Sequence, residues 1–271
     1  MKKGALITLI VTLVIFLVSL TASIILLINS ADDFIKNETV TETVEVSGSD
    51  SVKLKNQSVI KLENIFFQVN VKKATGDEVK AELNGTYAGK VAPELSVKSN
   101  SDKITIAIDK KDVVLSWFGS SNTTNHMVLD VYIPTSYNGD FQIEDCAGAV
   151  NAEFDFENVE IEDCAGKIDV KGAYDTVKIK DCAGAVTAET TNSDFDSISV
   201  KDCAGKITLV VPKNAKGTIS AEDCLGSVKS DFPLSKEKDE MFDYSGEMNG
   251  GGSAEISIKD CTGSVNIGKA E

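Results

Sequence analysis

The stretch EDCAGAV, Glu144–Val150, returns eighteen residues later as EDCAGKI, Glu162–Ile168. KDCAGAV (Lys180–Val186), KDCAGKI (Lys201–Ile207), EDCLGSV (Glu222–Val228) and KDCTGSV (Lys259–Val265) complete the set, and together they hold all six cysteines of the chain. The cysteine spacings are 18, 18, 21, 21 and 37. Each unit reads apolar-x-apolar-x-Asp-Cys-x-Gly-x-apolar. The leading strand positions are Phe141/Ile143, Val159/Ile161, Val177/Ile179, Ile198/Val200, Ile219/Ala221 and Ile256/Ile258. Two short strands in 18–21 residues cannot bury their apolar faces alone. Stacking one unit on the next builds a continuous core, which is the logic of an all-β, parallel β-solenoid with equivalent residues about 4.8 Å apart.

Other columns support this register. Phe156, Tyr174 and Phe195 each precede the next unit's first apolar residue by three positions and are expected to form an aromatic ladder. Stacked in chain order, Glu144, Glu162, Lys180, Lys201, Glu222 and Lys259 place three of five neighbouring pairs at opposite sign. The Cys261 unit then ends the stack, so damage at Gly263 merely frays it while damage at Gly184 splits it.

At the corner, Asp first and Gly fourth is the dressing of a type I turn. Six carboxylates in a column repel by roughly 0.9 kcal/mol per pair even in water. Calcium would relieve that, although the glycine-rich calcium nonapeptide is absent. The cysteines admit three readings: disulfides, a soft-metal site, or a buried ladder of free thiols. Stacked Cβ atoms about 4.8 Å apart exceed the separation a disulfide prefers. No CxxC or Cys/His cluster accompanies them. Free cysteine behaves as a small hydrophobe, and six buried aspartates would cost far more than six buried thiols, which favours cysteine inward.

Ahead of the repeat, Lys2 and Lys3 precede an apolar run, Gly4–Ile28, long enough to cross a bilayer as a helix. Positive charge before it holds the N-terminus in the cytoplasm and sends the rest out. A cleaved signal peptide is the rival reading; its apolar region would be shorter, and no convincing cleavage site follows. The organisation read from the chain is therefore a membrane anchor over residues 1–30, a short polar stalk over 31–42, N-terminal strands of the solenoid over 43–140, and corner repeats over 141–271 with an insertion at 231–253.

The net charge is −15, and all 27 basic residues are lysine. That balance argues against nucleic-acid binding and against adhesion to anionic headgroups. The one histidine, His126, lies in a polar stretch, and the aspartates are placed by the repeat rather than converging as an active site would require. No catalytic, cofactor-binding or metal-binding residue is assigned. Trp117 beside Phe118, and the insertion, are the two departures from the repeat where specificity would reside.

The unit VKIKDCAGAVTA resembles the V-x-V-x-T-x-S-G-D-I-x-I rungs of the bacterial "putative adhesin" family. LDVYIPTSYNGDFQIEDCAGAV resembles that family's strand, P-x-x-Y turn and first rung, and the C-terminal GGGSAEISIKDCTGSVNIG resembles its end. The likeness spans roughly residues 45–269, and Asp-Cys-Ala here replaces the usual Thr-x-Ser. It implies an extracytoplasmic β-solenoid without inherited catalytic residues, loosely linked with adhesion and envelope stress. The expected function is a membrane-anchored envelope binding or scaffold module with an unknown envelope protein or glycan as partner. The alternative is a β-helix enzyme acting on envelope polysaccharide.

Overall fold

A computed structural model describes residues 43–88, 92–108, 126–240 and 243–270. The expected anchor and stalk and the Trp117–Phe118 pair lie outside the described residues. Those described form strands and connections only, so none of their helices is long and apolar enough to cross a membrane.

The strands, in chain order, are β1 (Thr43–Lys53), β2 (Val59–Ile65), β3 (Gln68–Ala74), β4 (Glu78–Ala88), β5 (Leu95–Ser99), β6 (Lys103–Ile108) and β7 (His126–Pro134). The repeat contributes β8 (Asp140–Cys146), β9 (Ala149–Glu153), β10 (Asn158–Glu162), β11 (Lys167–Gly172), β12 (Thr176–Lys180), β13 (Ala185–Thr190), β14 (Ser197–Lys201), β15 (Lys206–Pro212), β16 (Gly217–Glu222) and β17 (Ser227–Ser230). β18 (Leu234–Glu240), β19 (Asp243–Met248), β20 (Ala254–Lys259) and β21 (Ser264–Ala270) follow.

They make two mixed sheets. One has ten strands in the order β1-β4-β7-β3-β9-β11-β13-β15-β21-β17, and the other eleven in the order β18-β19-β16-β20-β14-β12-β10-β8-β2-β6-β5. Each repeat unit puts its first strand in the larger sheet and its second in the smaller, and successive units pair parallel and in register. Val159 lies beside Val177, Ile161 beside Ile179, Ile168 beside Val186 and Val170 beside Ala188. Alternation sends these side chains between the sheets, where they are buried, and leaves Glu160, Lys178 and Asp169 outside.

The layers do not follow chain order at either end. β20 lies between β14 and β16, and β21 between β15 and β17, so the Cys261 unit sits inside the Cys224 unit. At the other end β2 and β3 lie inside β6 and β7. The expectation that the Cys261 unit terminates the stack is therefore corrected. The charge column runs Glu144, Glu162, Lys180, Lys201, Lys259, Glu222, with two opposite-sign neighbours rather than three. Lys180 bonds Glu162 at 2.6 Å, and Lys259 faces Glu222 at 3.5 Å.

Both skipped layers use the same kind of connector. β7 leads to β8 through Pro134–Gly139, and β15 leads to β16 through Pro212–Gly217. Each proline's carbonyl accepts a bond three residues on, from the N–H of Tyr137 (2.9 Å) or of Ala215 (2.9 Å). Proline pre-sets the turn and has no N–H to feed the adjacent layer. The buried Tyr137 hydroxyl donates to the carbonyl of Asp140 (2.6 Å) and lies 2.9 Å from that of Ser58. At the second connector Asn249 fills that role, donating from Nδ2 to the carbonyls of Ala215 (2.7 Å) and Lys213 (3.0 Å). The insertion thus belongs to the scaffold: β18 and β19 form a hairpin against β16, and Asn249 secures the skip.

Antiparallel strands finish the other end. β4 pairs β7, β1 pairs β4 and β5 pairs β6. The Asp50 carboxylate accepts from the N–H of Val97 at 2.9 Å, which links the edges of the two sheets. Of the expected aromatic ladder, Phe156 and Tyr174 stack with ring centres 6.4 Å apart, and Phe156 also stacks on Phe141, outside that ladder, at 4.4 Å.

A Cβ on Gly184 would lie 1.9 Å from the carbonyl oxygen of Gly166, and one on Gly263 would lie 1.7 Å from that of Gly205. We expect Gly263→Val to lower thermal stability as much as Gly184→Val, by several kcal/mol, because both sit between layers. Gly226→Val, in the outermost layer, should cost less, since that layer can lift from one neighbour only. Comparing the three melting curves decides the layer order.

Candidate functional site

The corner is built differently from a type I turn closed on itself. Asp145, Asp163, Asp181, Asp202, Asp223 and Asp260 all have φ between 51° and 53°. This left-handed conformation is one that Asp and Asn tolerate better than other non-glycine residues. One left-handed residue resets the strand alternation, so the aspartate points outward, and the cysteine after it turns in. The corner N–H groups are then spent on neighbouring layers. Asp181 donates to the Lys201 carbonyl (3.2 Å), and Ala183 donates to the Cys164 carbonyl (2.9 Å). The corner glycines have no positive φ; their small size is what admits the adjacent backbone.

A seventh corner escaped the sequence reading. Asn64 has φ 59°, and Glu63, Asn64 and Ile65 take the places of Glu144, Asp145 and Cys146 in the adjoining layer. The signal in LENIFFQVNV is partial: set on IEDCAGAVNA it keeps the glutamate, the valine and the asparagine, with Asn for Asp, Ile for Cys and Phe67 where the corner glycine stands.

All six cysteines are free and buried, and they form one column in the order 146, 164, 182, 203, 261, 224. The thiols of Cys164, Cys182, Cys203, Cys224 and Cys261 each donate to the carbonyl two residues earlier, at 3.1–3.4 Å. A thiolate in the same place would face a carbonyl oxygen. Hydrogen bonding with Cys146 and Cys182, and then burial, push the Cys164 thiol far above the ordinary range. Contact with Cys182, followed by burial, raises Cys203, while the contacts with Cys164 and Cys203 lower Cys182 itself. Contact with Cys203 and burial raise Cys261, and burial raises Cys224.

The outer faces carry polar columns. On the larger sheet Gln142, Glu160, Lys178, Ser199, Ser257 and Ser220 follow one another across the layers. Gln142 accepts from Lys103 Nζ and donates to Glu160 Oε2, both at 2.9 Å. Beside them Asn158 donates to Asp140 (2.7 Å), and Thr176 donates to Asn158. A shallow depression is lined by Asp140, Gln142, Asn158, Glu160, Thr176 and Lys178. Lys61 lies against Glu144, and although burial opposes its charge, the hydrogen bonds and charges of Glu144 and Glu63 hold its pKa above the usual value. On the smaller sheet the column is Asn70, Asn151, Asp169, Thr187, Thr208, Asn266.

His126 is exposed at the start of β7, beside a second depression that Phe66, Phe67 and Lys167 also line. Among the described residues no three His, Cys, Asp or Glu side chains converge as a metal centre would require. The corner aspartates are instead spread out, one per layer.

No family model matches the chain, and no curated protein does. Three solved bacterial structures are similar to it at low identity. A "putative cell adhesion protein" from Clostridium sporogenes is similar over 83% of this chain and 100% of its own, at 12% identity and TM-score 0.46. A "putative adhesin" from Bacteroides fragilis is similar over 84% and 97%, at 11% identity and TM-score 0.39. One from Parabacteroides distasonis is similar over 82% and 97%, at 12% identity and TM-score 0.33.

The raised thiols give a signed pH dependence. Below about pH 9 they are protonated in both folded and unfolded chains, and their contribution to stability is fully present. Above it the unfolded chain loses protons that the raised thiols of the folded chain keep, so stability falls as the pH rises. Melting temperature should therefore drop steeply on the alkaline side. A thiol reagent at neutral pH should count six thiols after denaturation and close to none before.

Proposed function

We propose that this protein is an extracytoplasmic β-solenoid that acts as a binding or scaffold module of the bacterial cell envelope. Residues 4–28 hold it in the membrane as a single span, with the N-terminus inside and residues from about 43 onward outside. The observation that carries this reading is the use of the repeated residues. Asp, Cys and Gly of the six cysteine corners are consumed in making the layers stack, while the variable positions face outward as flat polar columns. Such a surface has side chains about 4.8 Å apart along each column, with hydroxyl, amide and charged groups in reach of an extended partner. The corner aspartates, held one per layer, suit recognition better than hydrolysis, which needs two carboxylates facing one bond. The adhesion role named for the solved neighbours agrees with this reading without carrying it.

The topology is tested on intact cells expressing the full chain with a C-terminal tag. Protease added outside should remove the tag, while the protein stays in the membrane fraction after carbonate washing. A soluble form beginning near residue 30 would overturn the anchor. Release of sugars from purified wall polysaccharide by the purified chain would overturn the non-catalytic reading.

A further inference from the structure

The inward slot occupied by cysteine six times is occupied by Ile65 in the adjoining layer, and Ile65 is fully buried. An aliphatic side chain therefore satisfies the slot, and valine, isoleucine and leucine fill most of the other inward positions of the stack. Packing alone does not call for sulfur at all six places. What sulfur adds is a line of soft donors, each stacked directly on the next, inside a reduced core.

The spacing of that line selects a coordination. Layers rise by about 4.8 Å, and two metal–sulfur bonds of about 2.3 Å set in line span about 4.6 Å. A cation bound linearly between two stacked sulfurs matches that rise. No third ligand converges on any pair among the described residues, so zinc in its usual four-ligand site is not served. Soft thiolate ligands select monovalent copper, and its heavier congener silver shares that preference.

We propose that the cysteine column is a binding site for soft monovalent cations, each held between the sulfurs of two adjacent layers. With no sulfur shared, six thiols give three positions: Cys146 with Cys164, Cys182 with Cys203, and Cys261 with Cys224. The balance is M⁺ + 2 RSH → [M(SR)₂]⁻ + 2 H⁺. The metal replaces the thiol protons, and Cys164, Cys182, Cys203, Cys224 and Cys261 give up their bonds to the carbonyl two residues earlier. The metal oxidises nothing. One strand-corner of backbone separates the sulfurs from solvent, and its outer side carries the exposed aspartates, which concentrate cations there.

The test titrates the purified, reduced full chain anaerobically with Ag(I), and with Cu(I) from a weak carrier ligand, at neutral pH. Three equivalents should bind the native protein, with two protons released per metal, near-ultraviolet thiolate-to-metal absorption and a raised melting temperature. Zn(II) should give none of these. Cys224→Ile places in the outermost layer the residue the other end already uses, so it should fold and bind two equivalents. Retention of three by that variant overturns the pairing. Metal uptake only after unfolding, or uptake that lowers the melting temperature, overturns the site.

Discussion

Two backbones meet at each corner with only a hydrogen atom on the glycine between them, and the stack depends on that approach. The carbonyl of one corner glycine lies where the next glycine's side chain would otherwise stand. The corner N–H groups beside it have their acceptors in adjacent layers. A single unit therefore leaves its corner without hydrogen-bond partners, and its two strands without a second wall for their apolar residues. Left-handed aspartate, inward cysteine and bare glycine are one device: the first turns the chain, the second plugs the bend, and the third lets the neighbour in.

That device explains what could be read from the residues. The period, the strand positions, the inward cysteine and the need for a small fourth residue all follow from contacts made within one unit or with an identical neighbour. Layer order does not. Since every cysteine corner presents the same Asp-Cys-x-Gly, nothing in the column chemistry tells Cys203 whether Cys224 or Cys261 lies above it. The discriminating residues are outside the repeat, at Pro134 and Pro212, which mark the connectors that step over a layer, and at Asn249, which fastens the second. The Asn64–Ile65 corner was hidden for the opposite reason: the slot tolerates a different side chain of similar shape, so the motif dissolves while the geometry stays.

The polar faces were legible only as alternation. Which residues become neighbours depends on layer order, so Lys259 beside Glu222 and Ser257 between Ser199 and Ser220 are products of the skipped layer. The same holds for the thiols, whose column runs 203, 261, 224.

The interleaved ends bear on mechanical load. In a stack built in chain order, tension on the C-terminus peels the last layer away one hydrogen bond at a time. Here Ala254–Ala270 lies between two other layers in both sheets. Drawing it out along the strand direction must shear parallel ladders on both of its sides together. Forced extraction is governed by that barrier rather than by equilibrium stability, so the chain resists pulling at the end where a simple repeat would be weakest.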